Sequence, residues 1–162
     1  MSATPATTPP AAVGSLTSQG RSAIAHAALY LGAIAVLATG VDHLQQYYGN
    51  DYSSIPTIGT LFFLNFVSAV VIAAGLIAPL RRVAGPHAEA VRAVFAAGGI
   101  GLGALSLAGL FISEGSGLFG FVEHGYRTPI VIAIVAEAAA VVFLLAYLIP
   151  SLARASRRTR RA

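Results

Sequence analysis

Long apolar stretches alternate with short polar breaks along this chain, and four such stretches follow one another. A helix that crosses the hydrocarbon core of a bilayer needs about 20 mostly apolar residues at about 1.5 Å rise each. Pro56 and Pro129 precede the second and fourth stretch, where a missing amide proton is tolerated. The pattern predicts an all-α membrane protein, an up-and-down bundle of four transmembrane helices, with spans over about 22–44, 57–80, 90–113 and 130–149.

The composition agrees with a membrane protein and excludes several other classes. Of 162 residues, 56% are hydrophobic and only 10% are charged, whereas soluble domains carry roughly 25% charged residues. A water-soluble globule and a nucleic-acid-binding module are therefore excluded as the main interpretation. Cys is absent, which removes disulfides, thiolate metal ligands and a Cys nucleophile.

The arginines indicate how the spans are threaded, because cytoplasmic flanks of membrane proteins collect Lys and Arg. All ten basic residues are Arg, and Arg127 alone lies on the side opposite to the other nine. We therefore predict that both termini are cytoplasmic and that the protein is a multi-pass protein of the bacterial plasma membrane. The nine are Arg21, Arg81, Arg82, Arg92, Arg154, Arg157, Arg158, Arg160 and Arg161.

The two ends of the chain are predicted to differ from the transmembrane domain at 22–150. Residues 1–21, rich in Thr, Pro, Ala and Ser, are predicted to be a disordered cytoplasmic arm. Residues 151–162 form a basic cytoplasmic tail, and such tails attract anionic lipid headgroups at roughly 1 kcal/mol per residue. Val36 and Ala38 resemble the residues before a signal-peptidase site, but the apolar run from Ser22 to Val41 is longer than a signal peptide needs, which favours a retained span.

Small and polar residues recur at spacings of three and four in every span. Lipid tails are as apolar as Leu, so membrane helices associate through small residues that let their backbones approach. We expect these stripes to form the interior of the bundle. They are Ala28, Gly32, Ala35, Thr39 and Asp42 in the first span, Asn65, Ser68 and Gly75 in the second, Ala96, Gly99, Gly103 and Ser106 in the third, and Ala133, Glu137 and Ala140 in the fourth.

Glu137 is the most informative single residue. It lies eight residues after Pro129, about 12 Å into the membrane at helical rise. A carboxylate at that depth costs about 2.5–3.5 kcal/mol, so it is expected to face the bundle interior. Asn65 and Ser106 fall at nearly the same depth, and we predict a buried polar cluster of Glu137, Asn65 and Ser106. Its role is either a protonatable site for a transported solute or a neutral acid that fixes helix register.

A second group of polar residues stands at the opposite side to the termini. Asp42, His43, Glu123 and His124 form a candidate outer-face site, since carboxylates and imidazoles bind zinc or copper. Adjacent residues diverge by about 100° on a helix, so helix-end residues that meet headgroups and water are the preferred interpretation. No metal, cofactor or catalytic site is predicted. An aromatic belt is expected at this boundary, and its members are Tyr47, Tyr48, Tyr52, Phe119, Phe121 and Tyr126.

Two stretches of the sequence resemble a known family. They are VDHLQQYYGNDYSSIPTIGTLFFLN at Val41–Asn65 and GLFGFVEHGYRTP at Gly117–Pro129. They are similar to an uncharacterised family of actinobacterial four-span integral membrane proteins, in which an Ile-Pro-x-Ile-Gly-x-Leu-Phe-Leu-Leu-Asn run opens the second span. Here that run is Ile55–Asn65, with Thr60 where Pro is frequent and Phe63 where Leu is frequent. The resemblance implies the fold and a plasma-membrane location, and it implies no activity.

Three functions remain open at this point. The preferred one is a non-enzymatic structural or accessory component that packs with itself or with a larger membrane complex. The alternative is a small transporter or ion- or proton-linked subunit that uses Glu137. A membrane enzyme or a quinone or haem binder is the third, and the chain lacks the paired intramembrane His that haem would need. A closed, dry bundle would favour the accessory role, and a large pocket lined by Glu114, Glu123 and tyrosines would favour the transporter.

Overall fold

Four long apolar helices dominate the structure, a computed structural model that describes residues 11–159. The side chains of residues 11–19, 21, 154, 155 and 157–159 are outside that description, as are residues 1–10 and 160–162 altogether. Four helical segments are long and apolar enough to cross a membrane, and the described residues form no strand. The predicted all-α, four-span membrane fold is confirmed. The helices are α1 (Ala11–Gly49), α2 (Ile58–Ile77), α3 (Leu80–Ala84), α4 (Ala88–Gly115) and α5 (Thr128–Thr159).

The helix ends differ from the predicted spans in three places. The first helix does not stop near Leu44 but continues for more than one further turn, to Gly49. The predicted loop between the second and third spans contains the single-turn helix α3 and a 3-10 turn at Gly85–His87. The last helix continues through Pro150 to Thr159. The arm predicted at 1–21 lies partly outside the described residues, and helix is described from Ala11 onwards.

The four long helices pack in a ring, in which α1 contacts α2 and α5, and α4 contacts the same two helices. Short connections make neighbours in the chain antiparallel, as predicted. The stripes of small residues lie inside: every member in α1 and α5 is buried, and Ser68 and Ser106 are the half-buried members in α2 and α4. Small residues therefore let the helices approach closely, and a few large side chains such as Leu76 and Leu144 are buried among them.

Glycines mark the closest helix contacts. A Cβ built on Gly32 would lie 2.5 Å from Leu144 Cδ2, and one on Gly99 would lie 2.5 Å from Leu144 Cδ1. Leu144 is fully buried, so it sits between α1 and α4 where those helices offer no side chain. Any larger residue at either glycine would overlap it. This explains why the sequence places glycine rather than alanine at these two points of the stripes.

The helices α2 and α4 meet differently at their two ends. At the end that carries α3, the Arg92 guanidinium donates to the carbonyl oxygens of Leu76 (3.2 Å) and Ala78 (3.1 Å). Leu76 lies in the last turn of α2 and Ala78 is its C-cap, where carbonyls lack a partner within the helix; the Ala78 carbonyl also accepts the Leu80 amide at 2.8 Å. The opposite end, which we call the Tyr52 end, carries the connections 50–57 and 116–127. There a cavity lies between α2 and α4.

Candidate functional site: a cavity between α2 and α4

The cavity at the Tyr52 end has a volume of about 300 Å³, at the lower limit of pockets that hold small molecules, roughly 300–1,000 Å³. Most of its wall is apolar and comes from α2 and α4, with Phe62 and Leu102 among the lining residues. Three other lining leucines are also exposed on the outside of the bundle: Leu61 by 42%, Leu64 by 51% and Leu105 by 75%. The cavity therefore reaches the lateral surface of the bundle, where lipid tails would surround it.

Glu137 lines this cavity from α5. Only 2% of the residue is exposed, and Oε2 of its carboxyl group has no hydrogen-bond partner in the part of the chain that the structure describes. Its other oxygen, Oε1, lies 3.9 Å from Nε2 of His43, an electrostatic contact longer than a hydrogen bond. The helices approach closely behind it, since a Cβ on Gly103 would lie 3.0 Å from the Glu137 carbonyl oxygen.

His43 reaches Glu137 from α1 in a fixed orientation. Its Nδ1 donates to the carbonyl oxygen of Thr39 at 2.9 Å, one helical turn earlier. A carbonyl oxygen can only accept, so Nδ1 carries the proton, and Nε2 of a neutral ring presents a lone pair to Glu137. The ring also packs against Phe62, with centroids 4.7 Å apart. Both the tautomer and the direction of His43 are thus set by its surroundings.

Asn65 and Ser106 meet across the cavity wall. The amide nitrogen of Asn65 donates to Oγ of Ser106 at 2.7 Å, and Oδ1 of Asn65 has no partner among the described residues. A hydroxyl group both donates and accepts, so a rotated amide would keep this hydrogen bond and present its nitrogen to the cavity instead. The pair can therefore adapt to a donor or to an acceptor.

Asp42 lies beside His43 in the chain but makes a different contact. Its Oδ2 accepts a hydrogen bond of 2.6 Å from Nε2 of Gln46, one turn later on α1. Asp42 is buried, and it is near enough to interact electrostatically with Glu137. Two carboxyl groups and one imidazole therefore share the interior of the bundle at this level.

Tyr52 and Glu123 line the cavity and form a cluster with Arg127. The Tyr52 hydroxyl donates to Oε2 of Glu123, while Nη2 of Arg127 donates to the Tyr52 hydroxyl at 2.8 Å and to Oε1 of Glu123 at 3.1 Å. Tyr52 is 3% exposed and stacks on Phe62. Burial, together with the bond to the Glu123 carboxylate, raises the pKa of Tyr52 from 10.0 to about 12.

The segment before Glu123 is held by a tight turn. Leu118 and Phe121 exchange both backbone hydrogen bonds, at 2.7 and 2.9 Å. Phe119 and Gly120 between them have positive φ angles of 50° and 81°, which is the geometry of a type I′ hairpin turn. The hydroxyl of Ser113, near the end of α4, then donates to the Phe121 carbonyl and accepts the Glu123 amide. These bonds direct Phe121 and Glu123 into the cavity.

The structure brings together some of the residues singled out in the sequence and separates others. Glu137, Asn65 and Ser106 all line the cavity, although the hydrogen bond joins Asn65 to Ser106 and not to Glu137. Of the outer-face residues, His43 and Glu123 line the same cavity, whereas Asp42 pairs with Gln46. His124 is exposed, and its backbone amide donates to Glu123. Within residues 11–159, no three His, Asp or Glu side chains are grouped as metal ligands.

Two features of the site did not follow from the sequence. Asp42 and His43 do not face headgroups and water as expected: they are 7% and 8% exposed, because α1 continues beyond them to Gly49. Tyr52 and Phe121, expected in the aromatic belt, line the cavity instead, whereas Tyr48 and Tyr126 are exposed as a belt requires. The signal that could have placed His43 is its position four residues after Thr39, on the buried face of the stripe.

Comparisons of this chain with models of protein families, with curated proteins and with solved structures find no match. The fold defines a multi-pass helical membrane protein, and the site defines a cavity inside it with a buried carboxyl group.

Proposed function

We propose that this chain is a small, non-enzymatic membrane protein that binds and transports a small amphipathic molecule through the cavity between α2 and α4. The observation that carries the proposal is Glu137, which lines an apolar cavity and whose buried Oε2 has no hydrogen-bond partner among the described residues. A carboxyl group at this depth costs about 2.5–3.5 kcal/mol on insertion scales. A residue that served only to fix helix register would be expected to recover that cost through hydrogen bonds.

The shape of the cavity supports transport more than a purely accessory role. Its lateral opening, beside Leu61 and Leu105, would admit a molecule that is already dissolved in the bilayer. Its other end lies under the cluster of Tyr52, Glu123 and Arg127, which lies beyond the ends of the spans. A pocket lined by acidic residues and tyrosines is the feature that distinguishes a transporter from a closed bundle, and Glu123 and Tyr52 line this cavity. Glu114 does not line the cavity, because it accepts a hydrogen bond from Tyr126 instead.

The proposal includes the location and the threading that the arginines favour. With both termini in the cytoplasm of a bacterial cell, the Tyr52 end would face outward and the end with Arg81 and Arg82 would face inward. The basic tail at 151–162 would then meet the anionic inner leaflet. Membership of the actinobacterial four-span family, on the resemblance of Val41–Asn65, is likewise part of the proposal.

The experiment is a binding measurement on the full chain in lipid nanodiscs, with empty nanodiscs subtracted. The probes are two tritiated six-carbon compounds, hexylamine and 1-hexanol. Each has a short apolar chain that the cavity walls could surround and one polar end group. Gly109 lines the cavity, and a Cβ built on it would have room, because the nearest atom, Cδ2 of Leu118, lies 3.6 Å away. Gly109→Phe should fill the cavity and abolish saturable binding.

Ala104→Phe is the matched control, because Ala104 is exposed on the same helix and does not line the cavity. It should leave binding of the probes unchanged. If neither probe binds saturably, or if Gly109→Phe binds as well as the unaltered protein, the cavity is not a binding site and the proposed function fails.

A further inference from the structure

We infer that the polar end of the ligand is an ammonium group with N–H donors, which binds the carboxyl group of Glu137 and displaces one proton from the pair of Glu137 and His43. This inference rests on the proposed function and deepens it, because it names the chemical class of the molecule in the cavity. It follows from the protonation of the pair, from the charges around it and from the aromatic rings beside it.

The geometry of Glu137 and His43 favours one proton on the pair. Nδ1 of His43 is committed to the Thr39 carbonyl, so Nε2 and Oε1 of Glu137 are two acceptors that stand opposite each other, 3.9 Å apart. One proton between them relieves the repulsion, whether it resides on the carboxyl group or on the imidazole. When the proton is on Oε1 or on the imidazole, Oε2 carries none and remains an acceptor. A ligand that satisfies Oε2 must therefore donate.

The charges around the cavity favour a cation over a neutral donor. On α1, Asp42 and His43 act on Glu137, and the residues that α2 and α4 place in this wall, Asn65 and Ser106, are uncharged. In the connection 116–127, Glu123 is paired with Arg127. Described residues near the cavity thus include three carboxyl groups against one guanidinium and one imidazole. An anionic ligand would meet Glu137, which already feels the charge of Asp42, while the nearby Arg127 guanidinium is paired with Glu123.

The aromatic residues and the adaptable amide complete an ammonium site. Phe62, Tyr52 and Phe121 all line the cavity, and aromatic faces attract cations at close range. Asn65 can present Oδ1 while it keeps its bond to Ser106, which gives a second acceptor among the residues that line the cavity. An ammonium group has several N–H donors and can use both oxygens. The leucine walls would surround its hydrocarbon part.

Binding of the cation exchanges it for a proton. Before binding, the pair of Glu137 and His43 carries one proton. Afterwards Glu137 is a carboxylate bonded to the ammonium group, His43 is a neutral imidazole, and the proton is released to water. No covalent bond forms or breaks other than the bond to that proton. This would make the protein a proton-coupled exchanger of small amphipathic amines.

The test compares hexylamine, hexyltrimethylammonium and 1-hexanol on the full chain in nanodiscs. Hexylamine should bind about tenfold tighter for each unit that the pH rises through the neutral range, because one proton leaves per ligand. Hexyltrimethylammonium, which has the charge but no N–H donor, should bind about tenfold to hundredfold more weakly. Binding of 1-hexanol should be weak and independent of pH.

Two carboxyl variants locate the effect. Glu137→Gln should weaken hexylamine binding about tenfold to hundredfold and remove its pH dependence. Glu114→Gln also removes one carboxyl group but lies outside the cavity, and it should leave both unchanged.

The possible failures are separable. If 1-hexanol binds as tightly as hexylamine and Gly109→Phe abolishes both, the cavity site stands and the ammonium inference is wrong. If hexylamine binds without pH dependence, the proton exchange is wrong. If Gly109→Phe changes nothing for any probe, the proposed function itself fails.

Discussion

Gly103 and Gly101 lie two residues apart on α4 and allow a direct test of how closely α4 and α5 approach. A Cβ on Gly103 would lie 3.0 Å from the carbonyl oxygen of Glu137 and 3.2 Å from Cγ2 of Val141. A Cβ on Gly101 would meet no atom within 4 Å. Both glycines are inside the helix, so replacement by alanine has the same intrinsic effect at each position.

The magnitude follows from two opposing terms. Replacing a glycine by alanine within a helix stabilises it by about 1 kcal/mol. At Gly103 the new methyl group overlaps a backbone oxygen that cannot rotate away, and overpacking of this kind costs typically about 1–3 kcal/mol. We therefore expect Gly101→Ala to be slightly more stable than the unaltered protein. Gly103→Ala should fall below Gly101→Ala by about 1–3 kcal/mol.

The free energy of unfolding can be measured by titration of the full chain in mixed micelles with sodium dodecyl sulfate, followed by far-ultraviolet circular dichroism. The difference between the two variants isolates the contact, because the propensity term cancels. If Gly103→Ala is as stable as Gly101→Ala, α4 does not approach the backbone of α5 beside Glu137, and the position assigned to that carboxyl group is wrong.

Two further predictions concern the Tyr52 end. Tyr52→Phe removes a donor from the buried Glu123 carboxylate and should destabilise the protein by about 1–3 kcal/mol. The pKa of Tyr52 rises from 10.0 to about 12 on folding, so the stability that its protonated form contributes is fully present below pH 10.0 and is lost as the pH rises to about 12. The free energy of unfolding should therefore decrease with pH between about 10 and 12 in the unaltered protein and in the control Tyr48→Phe, whose ring is exposed. The same decrease in Tyr52→Phe would contradict the cluster. Separately, reporter fusions after Pro56 and after Gly120 should report the outer compartment and one after Gly85 the cytoplasm, and an outward signal at Gly85 would overturn the threading inferred from the arginines.

The depth of the polar residues was within reach of the sequence. Counting residues from Pro56 and Pro129 placed Asn65 and Glu137 at one level of the membrane, and the structure puts both on the wall of one cavity. The count works because helical rise is constant along a span. It gives height but not direction around the helix axis, which is why it predicts the cluster but not that Asn65 bonds Ser106 rather than Glu137.

The same limitation applies to His43. Each residue turns a helix by about 100°, so an error of one or two residues at a helix end changes which neighbour a side chain meets. The first span was predicted to end at about Leu44, which left His43 at the headgroups. Continuation of α1 to Gly49 keeps His43 within a regular turn that bonds Thr39 and directs it toward α5.

The sequence by itself determined the number of spans and the faces that they bury. Both are local properties, since a bilayer of fixed thickness requires a minimum apolar length and helical periodicity assigns small residues to one face. Only the tertiary structure decided the contact of Glu137 with His43 and the cavity between α2 and α4. It also decided the cluster in which Tyr52 bonds Glu123, 71 residues away in the chain, and Arg127, 75 residues away. These features depend on how far each helix is rotated and tilted against the others. Rotation and tilt are set by contacts between different helices, such as those of Gly99, Gly103 and Arg92, and the sequence of one span does not contain such contacts.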